Sequence, residues 1–194
     1  MKARKSPERA QAALPPDLVP HPRYGAAVVP SGEAVTEAEV RGSFWQYAKE
    51  TLFPASAIRA DLSRQNFSTM ARGYYVDLLR RCRDCDRPYL FFAREQRHWY
   101  EVLGFYVDAD CVRCPGCRRG ERAHRQRFRR FADAVTREDL SAVELATLAA
   151  DAAALWEDGV LRDEQKLRRI CNRVREALPG HRATRQLERL IAAL

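Results

Sequence analysis

Five of the six cysteines fall in two short stretches, Cys-Arg-Asp-Cys at 82–85 and Cys-Val-Arg-Cys-Pro-Gly-Cys at 111–117. A C-x-x-C loop aims two sulfurs at one point, and two such loops can give four thiolates to one tetrahedral ion at about 2.3 Å each. Cys82 and Cys85 form the first pair. The second stretch offers two overlapping pairs. Cys114 and Cys117 enclose Pro115 and Gly116, which suit a tight turn, and Cys117 falls where a helix should start, so its thiolate gains from the helix dipole. The pair Cys111 and Cys114 encloses neither turn residue. The expected ligands are therefore Cys82, Cys85, Cys114 and Cys117, holding one structural Zn2+. Cys111 is left as a buried or neighbouring thiol, and Cys171, beside Ile170 and Val174, as a core residue. Such a closed site has no open position for substrate, so its binding free energy goes into folding.

Metal ligation rather than disulfide bonding is the reading that a reducing compartment favours. The chain has 194 residues, 46% hydrophobic and 31% charged, and no apolar run approaches the roughly 18 to 20 residues of a membrane span. Its start, MKARKSPERAQAALPP, lacks the apolar stretch of a secretory signal. The expectation is a cytoplasmic protein without a membrane partner.

Several elements must position the cysteines. Thr36 and Glu39 make a capping box ahead of Val40, Phe44, Tyr47, Ala48 and Leu52, which predicts a docking helix stopped by Pro54. Residues 55–73 read as a short helix or loop. From Tyr74, β-rich segments flank Cys82 and Cys85, which predicts two short strands around a metal knuckle. Phe92, Gln96, Trp99, Tyr100 and Leu103 fit a short amphipathic helix that Gly104 caps. Helices follow: one after Cys117, one opened by Thr136, one near 162–178 and one from 182. Leu167, Ile170, Val174 and Leu178 should face Leu187, Leu190, Ile191 and Leu194 in a small bundle.

The stretch 74–119, from YYVDLLRRCRDCDRPYLFF through AREQRHWYEVLG to CVRCPGCRR, resembles a bacterial family described as having a probable zinc-ribbon, or treble-clef, domain. HPRYG and FPASAIRADLSRQNFS extend the likeness upstream. The resemblance implies zinc on Cys82, Cys85, Cys114 and Cys117 and implies no reaction. The expected fold class is α+β: a flexible tail over 1–30, a helical docking element over 31–73, a treble-clef module with a short hairpin over 74–120, and a helical region over 121–194.

A net charge of +8 makes an anionic partner plausible, although Arg supplies nearly all the basic residues and such a lean can reflect genome composition alone. Between Arg113 and Arg130 eight arginines meet one acid, Glu121. Arg118, Arg119, Arg122, Arg125, Arg129 and Arg130 are the candidate nucleic-acid contacts, able to reach successive phosphates. The alternatives are a solvated helix face that pairs with the later acids, and a scaffold whose C-terminal helices bind another protein. His21, His98, His124 and His181 are scattered, and no Ser-His-Asp order, phosphate loop or HExxH appears. A non-enzymatic module is therefore expected. A metal-dependent nuclease using His98 or His124, and a redox role for Cys111, rank below it.

Overall fold

The structure, a computed structural model, describes residues 13–194. It divides into two units, one within Met1–Arg119 and one over Gly120–Leu194. The first is a three-stranded antiparallel sheet of β1 (Thr51–Arg59), β2 (Tyr74–Arg81) and β3 (Pro88–Phe91), in the order β1-β2-β3. Two short helices flank it, α1 (Glu37–Gly42) and α2 (Ala93–Arg97). A long helix, α3 (Pro115–Val135), starts in the first unit and ends in the second, which adds α4 (Ala142–Glu157), α5 (Glu164–Ala177) and α6 (Arg182–Ala192). This is the expected α+β class with a helical C-terminal region. Among the described residues no helix is long and apolar enough to cross a membrane.

The capping box forms: the Thr36 hydroxyl accepts from Glu39 N–H, and the Glu39 carboxylate accepts from Thr36 N–H at 2.8 Å. The docking helix behind it is shorter than its apolar pattern predicts. It stops at Gly42, Trp45–Lys49 is a 3-10 turn, and Thr51–Arg59 is a strand. Val40, Phe44 and Tyr47 are fully buried all the same. Pro54 does not stop a helix; it sits inside edge strand β1, where the register shifts between Phe53 and Ile58 and a missing N–H is tolerated. Pairing with β2 overrides the local signal.

The tail expected over 1–30 is structured from Leu14 onward; residues 1–12 lie outside the described residues. In β3, Tyr89 and Phe91 enter the main core, while Leu90 points to the other face with Phe92. That second face needs a cover. Leu14, Leu18, Tyr24 and Val28 pack there against Leu90, Phe92 and Phe53, and Val19 N–H donates to Pro88 O at 2.8 Å.

Helix α2 continues through His98–Val102 as a wider π turn, and Gly104 ends it at φ +67°. Gln96 is fully buried: its Nε2 donates to the carbonyls of Val76 and Phe91 at 2.6 and 2.9 Å. Leu103, expected on the apolar face, is 50% exposed.

In the second unit α4 is opened by Ser141, whose capping box with Glu144 displaces the expected start at Thr136. Leu148, Leu155, Leu167, Val174 and Leu187 form its core with Phe131 of α3. Leu194 stays 53% exposed, outside the expected apolar seam.

Asp77 on β2 is the costly residue of the sheet. It is 3% exposed, and its Oδ1 accepts from Ala93 N–H at 2.7 Å, tying β2 to the start of α2. Burial lifts its carboxyl to about 6, although the N–H groups of Ala93 and Val29 and the charge of Arg94 favour ionisation. An unfolded aspartic acid titrates near 4, so between roughly pH 4 and 6 the folded state holds more protons. The contribution of this group is therefore present below about pH 4 and is lost as pH rises through 6. Asp77→Asn keeps an acceptor for Ala93 and removes that loss. Relative to wild type, its stability in urea should rise between pH 4 and 7 by up to roughly 2–3 kcal/mol; a constant difference across that range would refute the assignment.

Candidate metal centre

Strand β2 delivers Cys82 to the end of the hairpin, where the chain must reverse. Cys82 N–H donates to Arg87 O at 3.0 Å and Asp86 N–H to Cys82 O at 2.9 Å, closing a knuckle that carries Cys85. Asp86 takes φ 55°, a left-handed turn conformation that Asp tolerates. The second pair comes from the start of α3. Pro115 is its first residue, where a fixed φ suits the helix and no N–H is missed. Cys117 then lies in the first turn, its N–H directed at Cys114 Sγ at 3.5 Å. A Cβ at Gly116 would meet Cys114 Sγ at an ordinary 3.9 Å, so the helix start, rather than glycine's freedom, organises this pair.

The two loops are also bonded to each other. Arg83 N–H donates to Val112 O at 2.9 Å, and Arg113 pairs with Asp84 at 2.7 Å. As a result the sulfurs of Cys82, Cys85, Cys114 and Cys117 all lie within 4.8 Å of one another. Cys85 and Cys114 are 3.9 Å apart, against about 3.8 Å for the edge of a tetrahedron with 2.3 Å metal–sulfur bonds. The four are positioned to hold one metal ion. Cys82 and Cys114 are buried, Cys117 is half-buried and Cys85 exposed.

Without a cation the group is electrostatically awkward. Burial pushes the Cys82 thiol up, but the N–H groups of Cys114, Cys85 and Asp84 outweigh it and bring it down to about 6. Cys117 moves the other way, pushed well above the ordinary thiol range chiefly by its contacts with Cys114 and Cys82. A bound dication reverses this balance, stabilising all four as thiolates.

Cys111 stands apart from the four. It is buried, its S–H turns to Arg113 O at 3.5 Å, and burial pushes its thiol up to about 11. Cys171 is buried in the core of the second unit. Among the described residues no histidine joins a group with metal-holding spacing. His124 instead pairs with Asp158 at 3.3 Å.

Around the sulfurs lies a polar frame that cysteine spacing did not reveal. Glu95 of α2, 7% exposed, pairs with Arg118 of α3 at 2.6 Å, and the Arg118 guanidinium lies 5.3 Å from the Trp99 ring centre. Tyr89 O–H donates to Cys111 O, and Tyr100 O–H to Ala109 O at 2.7 Å, pinning the loop that delivers the second pair. The one sequence signal for this frame was a Glu-Gln step inside an otherwise aromatic helix.

Of the six arginines proposed as contacts, Arg118 is thus half-buried and paired, and Arg130 is held by Asp151 through two bonds of 2.8 and 3.0 Å. Arg125 pairs with Glu121 one turn earlier at 2.7 Å and stays exposed. Arg119, Arg122 and Arg129 are exposed and make no ion pair among the described residues.

Residues 76–126 match the model of a family described as "Probable treble clef domain". The match takes in both cysteine pairs, β3, α2 and the first half of α3. No curated protein and no solved structure matches the chain. The chain therefore carries a treble-clef domain built around the four-cysteine group.

Protein purified without added metal should contain one metal ion per chain by elemental mass spectrometry. Cys82→Ser and Cys114→Ser are expected to lose it, whereas Cys111→Ser should retain it; metal loss that followed Cys111 would break the ligand set.

Proposed function

We propose that this chain is a non-enzymatic binding module in which one Zn2+, held by Cys82, Cys85, Cys114 and Cys117, sets the first turn of α3 and so presents its arginines to a nucleic-acid backbone. Zinc suits the site because four thiolates in a closed tetrahedron select zinc or iron among common metals, and zinc alone brings no redox chemistry. The observation that carries the binding half is the placement of Arg122, Arg125 and Arg129. All three are exposed on α3, and their spacing of three and four residues puts them on one face of a helix.

Contact by these residues alone would be electrostatic and insensitive to sequence: guanidinium groups neutralise phosphates, displace counterions and weaken steeply as salt rises. The competing reading, a protein partner for the C-terminal helices, is favoured by Val143, which α4 leaves 77% exposed.

Binding to random-sequence duplex and single strands, measured by anisotropy at about 50 and 200 mM salt, tests the proposal. Affinity should drop by about ten-fold or more per three phosphates released over that range. Arg122→Glu with Arg129→Glu should weaken both substrates alike and flatten the salt slope by about two. Absence of binding at low salt by zinc-loaded protein would leave the protein-partner reading in its place.

A further inference from the structure

The first unit contains a cleft of about 520 Å³ that shares no residue with the cysteine group or α3. Its lining brings together Arg23, Tyr24, Ser56, Asp77, Phe92 and Arg94 from the N-terminal segment, β1, β2 and the start of α2. The volume falls in the range of small-ligand sites.

Two features of this cleft lack an account in the fold, and a third stands beside them. Asp77 spends Oδ1 on Ala93 N–H, while its Oδ2 is buried without a hydrogen bond of normal geometry among the described residues, the Val29 N–H giving it only weaker electrostatic support. Such an atom normally costs enough to be paired or removed. Arg23 and Arg94 are exposed and make no ion pair among the described residues, whereas the neighbouring Arg97 is tied to Glu101 at 3.1 Å. Tyr24, half-buried, is braced by His21 at 4.6 Å and by Phe92 at 5.4 Å between ring centres. It is a flat wall held in place.

These groups specify complementary parts of a ligand. Two guanidinium groups without an ion pair among the described residues call for an anion, most strongly a phosphate that accepts in pairs. A carboxylate accepts only, so Asp77 calls for N–H or O–H donors and opposes a bare anion. A braced ring favours a flat partner. We propose that this cleft binds a mononucleotide whose base offers an N–H edge, guanine first, with the phosphate on Arg23 and Arg94, the ring against Tyr24 and the N–H edge on Asp77. Guanine presents adjacent ring and amino N–H donors that can share the unpaired Asp77 Oδ2, whereas adenine has no ring N–H.

The test is calorimetric titration of the full, metal-loaded chain with guanosine 5′-monophosphate, guanosine, adenosine 5′-monophosphate and inorganic phosphate. The guanine nucleotide should bind at least ten-fold tighter than each of the other three. Arg94→Ala should weaken the nucleotide and phosphate alike by about ten-fold, and Asp77→Asn should remove the guanine preference while leaving phosphate unchanged. Circular dichroism and metal content establish that each variant is folded. No heat with any probe, a guanine nucleotide no tighter than phosphate, an adenine nucleotide bound as tightly, or folded variants that bind unchanged would each overturn the proposal.

Discussion

Four sulfurs within 4.8 Å of one another are the constraint on which the first unit depends. Protonated thiols are weak hydrogen-bonding groups, and four thiolates in that volume repel. Cys117 expresses this: its contacts with Cys114 and Cys82 hold its thiol well above the ordinary range, while Cys82, despite its burial, is brought down by the backbone N–H groups around it. One dication would remove the conflict and turn it into cohesion. The hairpin end, the loop through Val112 and the first turn of α3 then meet at a point that none of them would hold alone. A metal bound at this point would add its binding free energy to the stability of the folded unit.

The metal ligands are only the inner part of that junction. Arg118 follows Cys117 directly and carries the constraint from α3 to Glu95 on α2, while Tyr89 and Tyr100 anchor the carbonyls of Cys111 and Ala109. Outer partners of this sort fix the direction from which ligands approach a metal. They also account for the third cysteine in the 111–117 stretch. Cys111 is buried, and burial keeps its thiol neutral near pH 7, so it packs as a small apolar residue.

The sequence was most legible where spacing alone decides the outcome. Two C-x-x-C pairs, the Thr36 capping box and the turn at Gly104 are local devices, and each appears where its residues stand. Legibility failed where a distant partner decides. Residues 51–59 carry Pro54 and no clean alternation, and only pairing with β2 makes them a strand. The segment 14–28 is broken by four prolines and carries no regular apolar period, yet Leu18 and its neighbours cover a sheet face that no local pattern announces. Asp77, Glu95 and Gln96 look like surface residues by type and lie buried because backbone N–H, carbonyl and guanidinium groups from other elements meet them.

A basic composition is a poor guide to a basic surface, and the arginines of α3 show why. Arg118 is spent on Glu95, Arg127 on Asp158 and Arg130 on Asp151, so these three arginines are matched by acids that the net charge of +8 already subtracts and add little to an outward basic stripe. What remains outward is set by helical period rather than by number: Arg122 and Arg129 lie two turns apart, with Arg125 between them. That period has a phase, which follows from the residue at which α3 begins, Pro115. A helix started one residue earlier would rotate the stripe by about 100°.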